Sequence, residues 1–454
     1  MRFRPGPSRG TRERNLRRAP GQYVVLGFLG AVAVGTVLLS LPVAATGGGN
    51  GLMAALFTAT SAVCVTGLIV VDTATAWSGF GQAVILGLIQ VGGFGIMTLA
   101  SLLGMLISRR LGLQSRLTAA SATRSVGLGD VRSVLVGVAR ITLTVEAAVA
   151  LMLAARFVVG YGESVPRALW LGLFHSVSAF NNAGFALYTD NLMGFVADPW
   201  ICLPVTVAVI IGGLGFPVVI EVLRQHRRPA RWSLHTKITM LMTAVLVPLG
   251  SLFVLMAEWG NAATLGPLSL PGKLLASLVQ GVMPRTAGFN SLDTSQMSDG
   301  TLLGTDILMF IGGGSAGTAG GIKVTTFAVL GFVIWAELRG DPDVTVFDRR
   351  LAATSQRQAV AVALLSVATV IVPTIAITLT SDLDLGDVLF EVTSAFGTVG
   401  LSTGITAGLD PGHQLILVVL MFIGRLGPVT LGTALALRER QRLFRRPESA
   451  PIIG

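Results

Sequence analysis

Cysteine is almost missing from this chain: Cys64 and Cys202 are the only two in 454 residues. That excludes a disulfide framework, and neither residue stands at a metal-ligand spacing. Histidine is nearly as scarce. His175, His226, His235 and His413 are scattered and form no HExxH-type pair, which excludes the common helical zinc-hydrolase pattern. Charged residues reach only 12%, where a soluble domain carries about 25%. With 52% hydrophobic residues and a mean hydropathy of +0.74, the chain is expected to live in a lipid bilayer. Neither a phosphate-binding loop nor the residue order of a catalytic triad is present. The chain therefore reads as a non-enzyme that binds no nucleotide itself.

What the sequence does have is apolar length. Crossing a hydrocarbon core takes about 20 apolar residues. Eight stretches qualify, near 22–44, 80–107, 133–158, 200–223, 236–258, 301–336, 356–380 and 412–437. The first is longer than a signal-peptide core and no small-residue cleavage site follows it, so no cleavable signal is expected. The 56 glycines suit close packing of membrane helices.

Basic residues cluster: 27 of the 33 fall in five blocks, at residues before 20 and at 109–140, 224–237, 339–357 and 438–446. The segments between them carry the acids Asp72, Glu163, Asp190, Asp198, Asp293, Asp299, Asp382, Asp384 and Asp387. The net charge of +10 thus encodes orientation rather than a nucleic-acid partner. The positive-inside rule places all five blocks, and both termini, in the cytoplasm.

Four shorter apolar stretches lie near 51–63, 168–180, 271–283 and 384–396. Each is about 13 residues, or about 20 Å of helix against the roughly 30 Å of a hydrocarbon core. If each crossed the bilayer, half of the basic blocks would land outside. If each dips in and returns, all five stay inside. The re-entrant reading gives an all-α membrane protein of four helix–half-helix–helix repeats in one orientation, with pseudo-fourfold symmetry around a central pore. Inverted repeats are disfavoured, because every unit begins and ends on the same side. The expected organisation is a basic N-terminus at 1–20, repeat 1 at 21–110, a linker at 111–132 and repeat 2 at 133–224. A linker at 225–235 precedes repeat 3 at 236–338, and another at 339–355 precedes repeat 4 at 356–438, with a tail at 439–454.

Each short stretch ends in a glycine-centred loop: TSAVCVTGL (60–68), SAFNNAGFALY (178–188), GVMPRTAGFNSLD (281–293) and TSAFGTVGLSTGI (393–405). The central glycines, Gly67, Gly184, Gly288 and Gly400, are separated by 117, 104 and 112 residues. Irregular backbone at membrane depth is tolerated only where it lines water or is buried in protein. Four such loops can surround an axis with carbonyl oxygens, which is how a pore replaces the hydration shell of K+. The expected narrow point is Val65-Thr66-Gly67, Asn182-Ala183-Gly184, Thr286-Ala287-Gly288 and Thr398-Val399-Gly400, each running extended toward the outside, with the ion held by backbone carbonyls.

These four loops, with the eight-span layout, make the chain resemble the Trk/Ktr/HKT superfamily of potassium transporters over nearly its full length. It is most similar to the Ktr-type ion-conducting subunit. The resemblance implies potassium uptake through a gated selectivity filter, and glycine rather than serine at Gly67 goes with potassium. Sodium transport, or sodium-coupled potassium symport, is the alternative, since sodium dependence is left open. The resemblance also implies a homodimer working with a cytosolic ring of nucleotide-binding regulatory subunits. In some relatives the C-terminal tail assists dimer contacts.

Two features lie below the loops. The sixth span is interrupted by IGGGSAGTAGGIKVTT (311–326), whose Gly312, Gly313, Gly314, Gly317, Gly320 and Gly321 cannot hold a helix interior. The alternatives are a break for close packing or a mobile intramembrane loop, and the resemblance implies a gate. Ala316 and Gly317 depart from the glycine and serine more usual there. Arg425 interrupts the last span, where an arginine costs about 2.5–3.5 kcal/mol unless it meets water or a partner. The resemblance implies that it projects into the pore. Lys323 reads equally as a second barrier or an interfacial anchor, and Glu146 and Glu391 receive no role from sequence.

Overall fold

The computed structural model describes residues 20–110 and 131–427. The basic N-terminus (Pro20 apart), most of the 111–132 linker, the close of the last repeat and the 439–454 tail lie outside the described residues.

Repeat 1 comprises α1 (Pro20–Leu39), the half-helix α2 (Gly51–Cys64) and α3 (Gly79–Arg110). Repeat 2 comprises α4 (Val131–Tyr161), the half-helix α5 (Val165–Phe180) and a second span in two pieces, α6 (Pro199–Leu214) and α7 (Phe216–Gln225). Repeat 3 follows with α8 (Leu234–Ala257), the half-helix α9 (Leu270–Val282), α10 (Asp299–Phe310) and α11 (Val324–Arg339). Repeat 4 has α12 (Ala353–Thr380), the half-helix α13 (Leu385–Gly397) and α14 (Pro411–Leu426). A two-residue hairpin, Thr345–Val346 paired antiparallel with Arg349–Arg350, joins α11 to α12.

The four half-helices are 13 to 16 residues long, roughly 20–24 Å. They are too short to cross and so must be walled off from lipid. Thr58 to Cys64 of α2 are all buried, as are Val392 to Gly397 of α13. The full-length helices carry the lipid-facing surface instead. Val159, Leu364 and Leu379 are 85%, 68% and 79% exposed, which in water would be an aggregation hazard and in a bilayer is the solvent-compatible face. Pro204, Pro248 and Pro373 sit inside spans, where packing against neighbouring helices makes them tolerable.

The repeats interlock in a closed cycle. The second span of each packs on the half-helix of the next: α3 on α5, α6 on α9, α10 on α13, and α14 back on α2. A linear array would leave the last contact unmade.

Two expectations need correction. The second span of repeat 2, expected as one piece over 200–223, turns by 100° at Gly215, whose φ of 92° no ordinary side chain favours. The first span, expected to run to 44, ends its α-helix at Leu39 and finishes in a 3-10 turn at Pro42–Ala44.

Candidate functional site

All four triplets predicted for the narrow point come together in one ring. Their first residues share a left-handed backbone: φ is 55° at Val65, 59° at Asn182, 74° at Thr286 and 49° at Thr398. The third residues, Gly67, Gly184, Gly288 and Gly400, have φ of 93°, 70°, 67° and 98°. The left-handed turn at the first residue of each triplet is a departure from the expected extended run. Each half-helix ends by reversing hand, and the triplet alternates between ordinary and positive φ.

The glycines abut one another in cyclic order. A side-chain carbon at Gly67 would lie 2.4 Å from the Ala183 carbonyl oxygen, and one at Gly184 would lie 2.8 Å from that of Ala287. At Gly288 it would lie 2.1 Å from the Val399 oxygen, and at Gly400, 2.2 Å from the Thr66 oxygen. Every glycine thus faces the middle carbonyl of the next triplet, and the fourth returns to the first.

The triplet N–H groups turn back into the half-helix ends. Thr66 N donates to the Ser61 carbonyl at 2.8 Å and Gly67 N to Ser61 Oγ at 3.0 Å. Val399 N and Gly400 N do the same with Ser394, at 2.8 and 3.1 Å. Ala183 N donates to Ser178 at 2.7 Å and Ala287 N to Met283 at 3.0 Å. Among the described residues the triplet carbonyls accept no protein hydrogen bond, except that of Gly184, which takes Asn191 Nδ2 at 3.4 Å. Leaving a buried carbonyl unpaired costs about 1–3 kcal/mol.

Buried side chains tie the outer half of two loops to their half-helices. Glu391 on α13 accepts from Thr403 N at 3.1 Å, from Thr406 Oγ1 at 2.7 Å and from Ser402 Oγ. His175 on α5 accepts from Leu187 N through Nε2 at 3.2 Å, while its Nδ1 meets the Leu171 carbonyl at 2.7 Å. Glu391 precedes Gly400 by as many residues as His175 precedes Gly184, so the two are quasi-equivalent. Glu146 lies behind the second loop, 3.0 Å from Asn181 Nδ2 and 3.2 Å from Gln90 Nε2.

The glycine-rich segment between α10 and α11 is non-helical throughout, and Gly312, Gly313, Gly314, Gly317, Gly320 and Gly321 all lie in it. It docks on the bend of repeat 2. Gly314 N donates to Gly213 O at 2.8 Å, Thr318 N to Gly212 O at 3.2 Å, and Phe216 N to Ala316 O at 3.3 Å. It also touches two of the glycine-centred loops. The Thr318 hydroxyl lies 3.0 Å from the Asn182 amide, and a side-chain carbon at Gly320 would strike Thr398 Oγ1 at 2.0 Å.

Arg425 on α14 is buried and reaches this segment. Its guanidinium donates to the Thr318 carbonyl and, at 3.2 Å, to the Gly92 carbonyl of α3. It bridges three repeats, and both of these partners are backbone carbonyls. Lys323 Nζ folds back on its own loop, donating to the Ala319 carbonyl and to Gly320 O at 3.4 Å.

One signal in the sequence went unused. Gly92-Gly93, Gly212-Gly213, Gly312-Gly313 and Gly424-Arg425 occupy corresponding places in the four second spans. A side-chain carbon at Gly92, Gly212 or Gly424 would lie 2.0, 1.9 or 1.8 Å from the carbonyl oxygen of Val63, Phe180 or Phe396, which closes its half-helix. Arg425 therefore stands where the other three repeats have glycine, which is why a long side chain finds room beneath the ring.

Comparison with known proteins identifies the family. The profile of TrkH, a cation transport protein family, matches residues 34–445. The chain is 42% identical over 439 residues to Ktr system potassium uptake protein B of Bacillus subtilis, covering 97% of this chain and 98% of that protein. It is 38% identical over 432 residues to the protein of the same name from Vibrio alginolyticus, covering 95% and 94%. It is 32% identical over 445 residues to potassium/sodium uptake protein NtpJ of Enterococcus hirae, covering 96% and 98%. The crystal structure of the potassium transporter TrkH from Vibrio parahaemolyticus shares the fold, with a TM-score of 0.72 at 17% identity over 94% of this chain and 86% of that one. The chain belongs to the TrkH family of cation transport proteins, and it is a membrane transporter rather than an enzyme.

Proposed function

We propose that this chain is the ion-conducting membrane subunit of a potassium uptake system, passing K+ through the carbonyl ring and closing the path below it with the 312–321 loop. The observation that carries this reading is the ring of triplet carbonyls contributed by Val65, Thr66, Gly67 and their counterparts, all but that of Gly184 without a hydrogen-bond partner among the described residues. Oxygens left without N–H partners have their lone pairs free for a dehydrated monovalent cation. The half-helices also end at the ring, so their partial negative charge favours a cation just beneath it.

The glycine-rich loop, braced by Arg425, supplies the gate. Its contacts to Asn182 and Arg425 support a position under the filter, and its lack of helix lets it move without breaking a span. Lys323 and Arg425 add positive charge that opposes cation passage while the loop is seated. The distribution of arginines supports a plasma-membrane protein with both termini in the cytoplasm. The relatives named Ktr system potassium uptake protein B support a separate regulatory partner, which we take to be a cytosolic nucleotide-binding ring acting on a homodimer of this chain.

The test is ion flux through purified, reconstituted protein under defined K+ and Na+ gradients. K+ flux that persists with sodium omitted is expected. Strict dependence on a sodium gradient would replace the gated pore with sodium-coupled symport, the reading favoured by the similarity to a potassium/sodium uptake protein.

A further inference from the structure

A cleft lies between residues 224–237 and the tip of the hairpin. Its volume is about 880 Å³, and Arg224, Arg227, Arg228, Arg231, Lys237 and Arg349 line it against a single carboxylate, Asp348. Among the described residues, none of these six cations has an ion-pair partner. The ion pairs among the described residues are Arg156–Asp198 and Arg350–Asp343. The nearby carboxylate of Glu221 is already engaged, accepting from Ser233 N and Oγ at 2.7 Å each and from Thr236 Oγ1 at 2.5 Å. The cleft is also held in shape: Trp232 Nε1 donates to Gln225 O at 3.2 Å, and Lys237 Nζ lies 5.6 Å from the centre of the Phe347 ring. Orientation alone explains why each linker is basic. It does not explain why two linkers from different repeats converge six cations on one hollow that Asp348 alone among its lining residues opposes.

We propose that this cleft binds a phosphate-bearing anion and that its occupancy biases the gate loop. Arginine forks match phosphate oxygens in pairs, and the volume suits a diphosphate or a phospholipid headgroup. The coupling follows from the two helices that leave the cleft. Helix α7 ends in it at Arg224 and Gln225, and begins at Phe216, whose N–H is bonded to Ala316 of the gate loop at 3.3 Å. Helix α11 begins at Val324, whose N–H is bonded to Gly313 at 3.0 Å, and leads through Arg339 to the hairpin. An anion bridging Arg228 or Arg231 to Arg349 ties together the far ends of the two levers that hold the loop.

The binding half of this proposal stands on the cleft alone; the coupling half rests on the reading of 312–321 as a gate. Two probes separate the sources of phosphate. Inorganic pyrophosphate is titrated calorimetrically into the full chain in neutral detergent, and K+ flux is measured in phosphatidylcholine vesicles with and without phosphatidylglycerol. At least one probe is expected to act, and the Arg228→Gln/Arg231→Gln pair should weaken it about tenfold. Arg357→Gln, basic but outside the cleft, should not. A response to pyrophosphate alone identifies a soluble ligand, and a response to phosphatidylglycerol alone identifies a lipid. No response to either probe, or equal loss in the Arg357 control, overturns the site. If the double variant keeps both probe responses and loses only its response to a regulatory protein, the cleft is a protein interface and the proposal fails. Should the pair unfold, Arg349→Gln at the hairpin tip serves instead. Binding without any change in flux removes the coupling while leaving the site. Failure of the gate reading itself shows separately, as unaltered flux in Arg425 variants.

Discussion

Arg425 donates a hydrogen bond to the backbone carbonyl of Thr318, joining the last span to a loop 107 residues earlier in the chain. A second bond, to the Gly92 carbonyl, anchors the same guanidinium to the first repeat. Arg425→Gln removes the charge and loosens both ties. Charged hydrogen bonds of this kind are worth about 1.5–3 kcal/mol, so basal K+ flux through the reconstituted protein should rise by about tenfold. Flux equal to or below the parent would remove Arg425 from the gate.

Ring closure makes a second prediction. Gly400→Ala would set a methyl carbon 2.2 Å from the Thr66 oxygen at a φ of 98°, adding strain of about 1–2 kcal/mol before any clash is counted. Potassium uptake in an uptake-deficient bacterium should drop by about tenfold or more, with altered K+/Na+ discrimination. Gly386→Ala and Gly412→Ala, where a methyl meets nothing within 4 Å, should leave uptake unchanged. Matching losses at all three sites would mean that the ring is not special.

Glu391 offers a third. It pins the outer part of the fourth loop through Ser402, Thr403 and Thr406 while buried at 1% exposure. Glu391→Ala leaves those donors unsatisfied and should cost about 3 kcal/mol, read as a lowered thermal midpoint in detergent. The loop should also lose selectivity before the protein loses its fold. A stable, fully selective variant would show that the pin is dispensable.

A fourth concerns pH, through Glu258 at the end of α8. Burial alone would raise its carboxyl, but hydrogen bonds from Thr264, Thr301, Ser298 and Asn261 outweigh it and hold the group below the usual glutamate value of 4.5. The folded-state value is therefore the lower one. Its contribution is fully present above pH 4.5 and is lost as pH falls through the depressed value. Acid unfolding of the Glu258→Gln variant should be shallower than that of the parent over this window, and its stability at neutral pH lower. Identical acid profiles would contradict this.

Much of the architecture was legible because it is written in local terms. Apolar length separates α2, α5, α9 and α13 from full spans, since about 13 residues cannot cross where 20 are needed. Six glycines within 312–321 forbid helix, whatever surrounds them. The bend at Gly215 was not legible. A glycine inside an apolar run is ordinary in a membrane helix, and only the docking of Ser315 and Ala316 against it reveals why the span turns. The contacts of His175 and Glu391 were hidden for a similar reason, as their partners lie beyond the glycine triplets and are chosen by the fold of the loop.

The sequence by itself determined which apolar stretches are too short to cross, where the basic residues cluster and the four glycine-centred triplets, because hydrophobic length and backbone permissiveness are properties of short segments. Only the tertiary structure decided that Gly67, Gly184, Gly288 and Gly400 each face the next repeat's carbonyl in a closed cycle, and that Arg425 reaches Thr318. Those contacts join segments a hundred or more residues apart. Their geometry comes from packing four similar repeats around one axis, which no local stretch of chain can specify.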